Sequence, residues 1–162
     1  MSKDKRVALM PGSFDPLTVG HVEMIRRAAE KFERVIVAVM INADKEYLFS
    51  IEERTEIARL SLSDLSNVEV ITDEGWLYIL FDKVGADVIV KGIRNETDLA
   101  YEEKMALYNK EKNPRIVTEY IYASDEYKDI SSTAARKAYA ERRDMSEYLA
   151  EGAREYVKNI LS

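Results

Sequence analysis

Ten residues near the start of the chain, Gly12 to His21 (GSFDPLTVGH), concentrate groups that a phosphate needs. Pro11 and Pro16 stiffen the segment, and Gly12 and Gly20 are expected to let backbone approach a ligand closely. A helix starting near Thr18 points its free N–H groups and positive dipole end into the same space. Ser13 adds a hydroxyl, and His21, in the first helical turn, adds an imidazole N–H. Together these groups form an anion cradle. The cradle is not a dinucleotide fingerprint, because G-x-G-x-x-G is absent, and not a P-loop, because the Gly-Lys-Ser/Thr ending is absent. The competing reading is a structural turn with Thr18 as N-cap and His21 solvated.

More such groups follow the later apolar runs. Lys45, in the segment Asn42 to Phe49, can hold a phosphate as a point charge. Lys91 and Arg94 flank Gly92 directly after Val88-Ile89-Val90 and make a phosphate clamp. Ser131, Ser132 and Thr133 place three hydroxyls at the start of a helix, where simple capping needs one. Ser50 and Glu53 have capping-box spacing and are read as structural.

These groups need a frame that brings them together. Arg6–Met10, Arg34–Ile41, Asn67–Ile71, Asp87–Val90 and Ile116–Ile121 read as short apolar strands. Helical patterns separate them: Val22–Phe32, the segment from Ser50 to Leu62, Trp76–Val84 closed by Gly85, and Thr97–Lys110. Ser131–Tyr139 and Ser146–Leu161 close the chain as helices. Strands alternating with helices predict a single α/β domain over 1–162, Rossmann-like, with a five-stranded parallel sheet and helices on both faces. Ligands bind at the carboxyl ends of such strands, and each polar motif falls at one of those ends.

Composition narrows the chemistry. The chain has 162 residues and a net charge of −6, which disfavours general nucleic-acid binding. It has no cysteine, so disulfides, thiol nucleophiles and thiolate metal sites are excluded. A single histidine leaves no histidine cluster for zinc, and no metal site on the protein is expected. The polar N-terminus does not read as a signal peptide, and no apolar run is long enough to span a bilayer. A cytoplasmic protein is the simplest expectation, with neither membrane nor nucleic acid as partner.

The run Gly12-Ser13-Phe14-Asp15-Pro16, followed by Thr18-x-Gly20-His21, resembles the signature of the nucleotidylyltransferase superfamily with its T/HxGH motif. Over nearly its whole length the chain is similar to the bacterial phosphopantetheine adenylyltransferases. The resemblance implies transfer of the adenylyl group of ATP to 4′-phosphopantetheine, giving dephospho-coenzyme A and pyrophosphate, with magnesium carried mainly by the ATP phosphates. It implies that Ser13, Lys45, Leu77 and Lys91 bind the acceptor. It implies that Ser13, Phe14, His21, Gly92, Ile93, Arg94 and Glu102 contact ATP, together with Tyr127, Lys128, Asp129, Ile130, Ser131, Ser132 and Thr133. His21 becomes the transition-state donor. Lys91 stands where the family usually has arginine, Tyr127 where tryptophan is frequent, and Ala150 where proline is common. A homohexamer is a further implication. The alternatives are another adenylyl- or cytidylyltransferase of the superfamily and a nucleotide-binding module without turnover.

Overall fold

A computed structural model of the chain describes residues 2–162. Its strands are β1 (Asp4–Gly12), β2 (Phe32–Met40), β3 (Val68–Asp73), β4 (Val88–Ile93) and β5 (Thr118–Tyr122). Its helices are α1 (Val19–Lys31), α2 (Ile51–Leu62), α3 (Leu77–Lys83), α4 (Glu96–Lys112), α5 (Ser132–Ala140) and α6 (Glu151–Leu161). All strand pairs are parallel, in the order β3-β2-β1-β4-β5. The expected α/β class, sheet and two covered faces are therefore present.

Strand alternation divides the core. Ala8 and Met10 of β1, Val35, Val37 and Val39 of β2, and Val88 and Val90 of β4 face one side. They bury against α1 (Ile25, Ala28), α2 (Ile57, Ala58) and α6 (Ala153, Val157). The intervening residues Leu9, Ile36 and Ile89 face the other side and meet Leu80 and Phe81 of α3. This period-two exchange explains why the central strands read as continuous apolar runs. The chain leaves β1 toward β2 and β3, then crosses back to β4 on β1's other side. The carboxyl ends of β1 and β4 thus form the switch point where open α/β sheets bind ligands.

Local signals fix several boundaries. Ser50 Oγ accepts from the Glu53 N–H at 3.1 Å while Glu53 Oε1 accepts from the Ser50 N–H at 2.9 Å, so the expected capping box starts α2. Gly85, with φ of 70°, ends α3 in the left-handed region. Asn95 caps α4, which starts at Glu96, one residue before the expected Thr97, through its side-chain oxygen and the Asp98 N–H.

Most boundaries shift by one to three residues, Phe32 for instance opening β2 instead of closing α1, and two differences matter for the architecture. β4 continues through Lys91, Gly92 and Ile93, which pair with Tyr120, Ile121 and Tyr122 of β5. The apolar run stops at Val90, but the backbone ladder does not need apolar side chains to continue. The final helix is also not one piece. A 3-10 turn over Ser146–Tyr148 is followed by extended Leu149 and Ala150, and only then by α6. Leu149 is buried in the core, which holds the chain extended there.

Ala150 has φ −63° and ψ 145°, and its N–H donates to no group among the described residues. Leu149 before it has φ −108° and ψ 145°, which a following proline tolerates. Ala150→Pro is therefore expected to raise unfolding free energy by about 0.4–1 kcal/mol through a restricted unfolded chain. Urea denaturation reads this directly, and a lowered midpoint would contradict it.

Candidate active site

The loop after β1 is held in an unusual shape. Phe14 has φ of 49°, in the left-handed region that aromatic residues rarely adopt. Its neighbours are gripped in succession. Arg54 Nη1 donates to the Ser13 carbonyl at 2.8 Å, Arg136 Nη1 to the Asp15 carbonyl at 2.8 Å, and Ser132 Oγ to the Pro16 carbonyl at 2.7 Å. The Asp15 carboxylate, only 1% exposed, accepts the N–H groups of Leu48 and Phe49 at 2.8 and 2.9 Å. Strain of this kind persists only where surrounding bonds over-determine it.

The two glycines of the loop are also closely packed within the protein. A Cβ on Gly12 would lie 2.8 Å from the Phe14 ring, and one on Gly20 would lie 3.1 Å from the Ile130 carbonyl. Close packing within the protein therefore restricts both positions to glycine-sized residues.

Thr18 is the N-cap of α1, and His21 occupies the third helical position where a capping box normally has Glu or Gln. The Thr18 N–H donates to His21 Nδ1 at 2.9 Å, and the His21 N–H donates to Thr18 Oγ1 at 3.3 Å. Since Nδ1 accepts, the neutral ring carries its proton on Nε2. The ring also meets Phe14 edge-on at 5.2 Å between centroids. Burial, then the charges of Arg94 and Lys91, push the imidazole pKa down to about 4. His21 is thus part of the cap, and capping through Nδ1 leaves its Nε2–H unused by the cap.

A cavity of about 250 Å³ opens at the carboxyl ends of β1 and β4. Of the residues singled out from sequence, Phe14, His21, Lys91, Gly92, Arg94 and Glu102 line it, with Ile130, Ser131, Ser132 and Thr133 opposite. The three hydroxyls are each engaged. Ser131 Oγ accepts from the Ala134 N–H, Ser132 donates to Pro16, and Thr133 Oγ1 accepts from Arg136. Ser131 and Thr133 keep a hydroxyl proton for an anion. Ser132 has committed its proton to the loop and supplies its backbone N–H at the start of α5 instead.

Both cavity cations are paired with acids of α4. Lys91 Nζ lies 3.2 Å from Glu102, and Arg94 Nε donates to Asp98 at 3.1 Å. Glu102 and Asp98 are one helical turn apart, so a single helix face holds both. Glu102, which the resemblance assigns to ATP, is thus also the partner of Lys91. Leu77 lies outside this cavity. It lines an adjoining space of about 120 Å³ that shares Lys91 and Glu102 as its wall. Lys45 is exposed and donates to Ser13 Oγ at 3.3 Å, at the rim beside β1 and β2. Ile93 is buried, and Lys128 pairs with Asp125 at 2.9 Å in a groove on another side of Arg94. Tyr127 sits in the 3-10 turn Asp125–Tyr127, and neither it nor Asp129 lines the main cavity.

Sequence reasoning gave Asp15, Asp98 and Arg54 no role in this site, and it read Arg136 only as the end of the run from Ile130. Asp98 had one signal, its i+4 spacing from Arg94. Asp15, Arg54 and Arg136 tie the loop through tertiary contacts that span 33 to 121 residues of chain.

A switch-point cavity lined by a neutral imidazole, a helix start and two cations defines a nucleotidyl-transferring enzyme. The sequence profile of the cytidylyltransferase-like family matches residues 9–138. A solved structure, a putative nicotinate-nucleotide adenylyltransferase from Vibrio parahaemolyticus, shares the fold with a TM-score of 0.73 at 20% identity, covering 98% of this chain and 94% of that one. Phosphopantetheine adenylyltransferase from Clostridium perfringens is 46% identical over 132 residues, 82% of this chain and 80% of that protein. The enzyme of the same name from Limosilactobacillus reuteri is 39% identical over 156 residues, 96% of this chain and 90% of that protein. The chain belongs to the phosphopantetheine adenylyltransferase family.

His21 is the sole histidine, so its titration is read without overlap. Its folded pKa of about 4 lies below the unfolded value of 6.5, so the unfolded chain binds the extra proton between them. The contribution to stability is present above pH 6.5 and is lost as pH falls toward 4. Proton and nitrogen NMR should show an Nε2–H tautomer with a midpoint well below 5. A midpoint near 6.5, or a proton on Nδ1, would contradict the capping geometry.

Proposed function

We propose that this protein transfers the adenylyl group of ATP to 4′-phosphopantetheine, releasing pyrophosphate and forming dephospho-coenzyme A. The observation that carries this reading is His21, whose Nδ1 accepts the Thr18 N–H and whose ring lines a cavity walled by Lys91, Arg94 and the start of α5. The family relationship supplies the acceptor, and the site supplies groups suited to it.

A phosphate oxygen is already a competent nucleophile near neutral pH, so the chain needs no nucleophile or general base of its own. The acceptor phosphate attacks the α-phosphorus in line. One P–O bond forms, the bond to the β-phosphate oxygen breaks, and the electron pair leaves with pyrophosphate. His21 donates its Nε2–H to the transferring group as charge grows there, without giving up the proton. Ser13, Lys45 and Lys91 orient the acceptor phosphate, with Leu77 beside the pantetheine arm. Arg94, Ser132 and Thr133 hold the β- and γ-phosphates. Phe14, Gly92, Ile93 and Glu102, with Tyr127, Lys128, Asp129, Ile130 and Ser131, frame the remainder of ATP. Ligand binding must trade the Lys91–Glu102 and Arg94–Asp98 pairs for phosphate contacts. Lys91 keeps the charge of the usual arginine without its fork, so it contributes a point contact.

Magnesium fits this site through the ATP phosphates and water. No cluster of three or more histidine or carboxylate side chains among the described residues could hold the ion, which leaves its ligands to the nucleotide and water. When bound, the ion neutralises charge on the triphosphate. A cytoplasmic homohexamer completes the reading. No described helix is long and apolar enough to cross a membrane, and Trp76, Ile79 and Leu107 are exposed on α3 and α4 or beside them. Light scattering reads the assembly.

Pyrophosphate release from ATP is expected with 4′-phosphopantetheine and not with nicotinate mononucleotide or phosphocholine. Release with another acceptor instead, or ATP binding without any release, would replace this reading. His21→Ala should fold and lose roughly 100- to 1,000-fold in turnover, the usual cost of one such donor. Near-full activity in that variant would remove His21 from the mechanism.

A further inference from the structure

Asp15 and Arg54 are the two buried charges among the described residues. Asp15 is satisfied by two amides. Arg54 is not satisfied. Its guanidinium has five N–H donors, and only Nη1 uses any, toward the carbonyls of Ser13 at 2.8 Å and Met40 at 3.1 Å. Nε is inaccessible and has no acceptor, and Nη2 donates to no described group. No acid forms an ion pair with it among the described residues, and Asp44 and Glu46 of the neighbouring loop are exposed. Its guanidinium carbon lies 3.8 Å from the centre of the Tyr47 ring, and Lys45 Nζ lies 5.7 Å from the same ring. Lys45 also reaches Ser13 Oγ. Two cations therefore converge on one corner, one of them fully buried, and no acid among the described residues forms an ion pair with it. A buried charge without a partner costs stability and is retained only where something else offsets it.

We propose that the acceptor's phosphate is the counter-ion for Arg54. On this view Arg54 is a positioning residue. It fixes Ser13 through the Ser13 carbonyl and holds the corner of Ser13 and Lys45 positive before the acceptor arrives. The inference rests on the adenylyl-transfer reading and adds to it a group outside the family's signature residues assigned above. The charge works at short range through a dry interior, where it is screened far less than that of exposed Lys45.

The test is calorimetric binding of 4′-phosphopantetheine and of pantetheine, which lacks the phosphate, to the wild type, Arg54→Met and Arg54→Lys. Arg54→Met should weaken the phosphorylated ligand about tenfold or more and leave pantetheine within about threefold. Arg54→Lys should keep phosphate affinity within about threefold, because it keeps the charge, while lowering turnover through a displaced Ser13. Equal weakening of both ligands in Arg54→Met would mean a structural role and overturn the inference. Should Arg54→Met fail to fold, Arg54→Lys decides alone, and a tenfold loss of the phosphorylated ligand with the charge retained overturns the inference. Pyrophosphate release by the wild type separates the two readings. Wild-type binding without release overturns the transferase reading, whereas normal release with unchanged binding in Arg54→Met overturns only the role of Arg54.

Discussion

The carboxylate of Asp15 is the contact on which the site depends. It accepts the Leu48 and Phe49 amides and so locks the loop after β1 to the loop after β2. A buried carboxylate is tolerable only with such donors, and here the donors are backbone, which cannot rotate away. Once this tie is made, Arg54, Arg136 and Ser132 take the free carbonyls of the same loop. Phe14 is then forced into its left-handed conformation, and its ring edge sets the position of His21. The site is thus formed before any ligand enters, and a preorganised site loses little to reorganisation during reaction.

The electrostatics follow from that geometry. Burial, then the charges of Arg94 and Lys91, depress the imidazole pKa, and the Thr18 N–H fixes its tautomer. A neutral ring with its proton on Nε2 is a hydrogen-bond donor that costs no ionisation. The same two cations are balanced by Glu102 and Asp98. An acidic protein can therefore bind a polyanion by exchanging one set of negative partners for another, whatever its net charge of −6.

Much of this was visible in the sequence, for identifiable reasons. The five strands and the covering of both sheet faces follow from apolar runs of β-branched residues alternating with helical periods. Ser50 and Glu53 announced α2 because a capping box is local. Ser131 to Thr133 announced the start of α5 for the same reason. What was hidden is mostly non-local. Nothing in the sequence shows that β4 runs on through Lys91 and Gly92, since that depends on pairing with β5. The break before α6 depends on Leu149 entering the core. The second role of His21, as a cap, was obscured because its position usually holds Glu or Gln. The packing of Phe14 and Ile130 against Gly12 and Gly20 is likewise invisible in the sequence.

The account holds that adenylyl transfer is a single direct displacement on a preformed site, with no protein nucleophile. The stereochemical course at the α-phosphorus tests this most directly. With ATPαS of one defined configuration and 4′-phosphopantetheine as acceptor, phosphorus NMR of the product reads the outcome. The account predicts a dephospho-coenzyme A phosphorothioate with inverted configuration. Retention would require a covalent enzyme intermediate, and no product with this acceptor would remove the reaction itself; either result would contradict it.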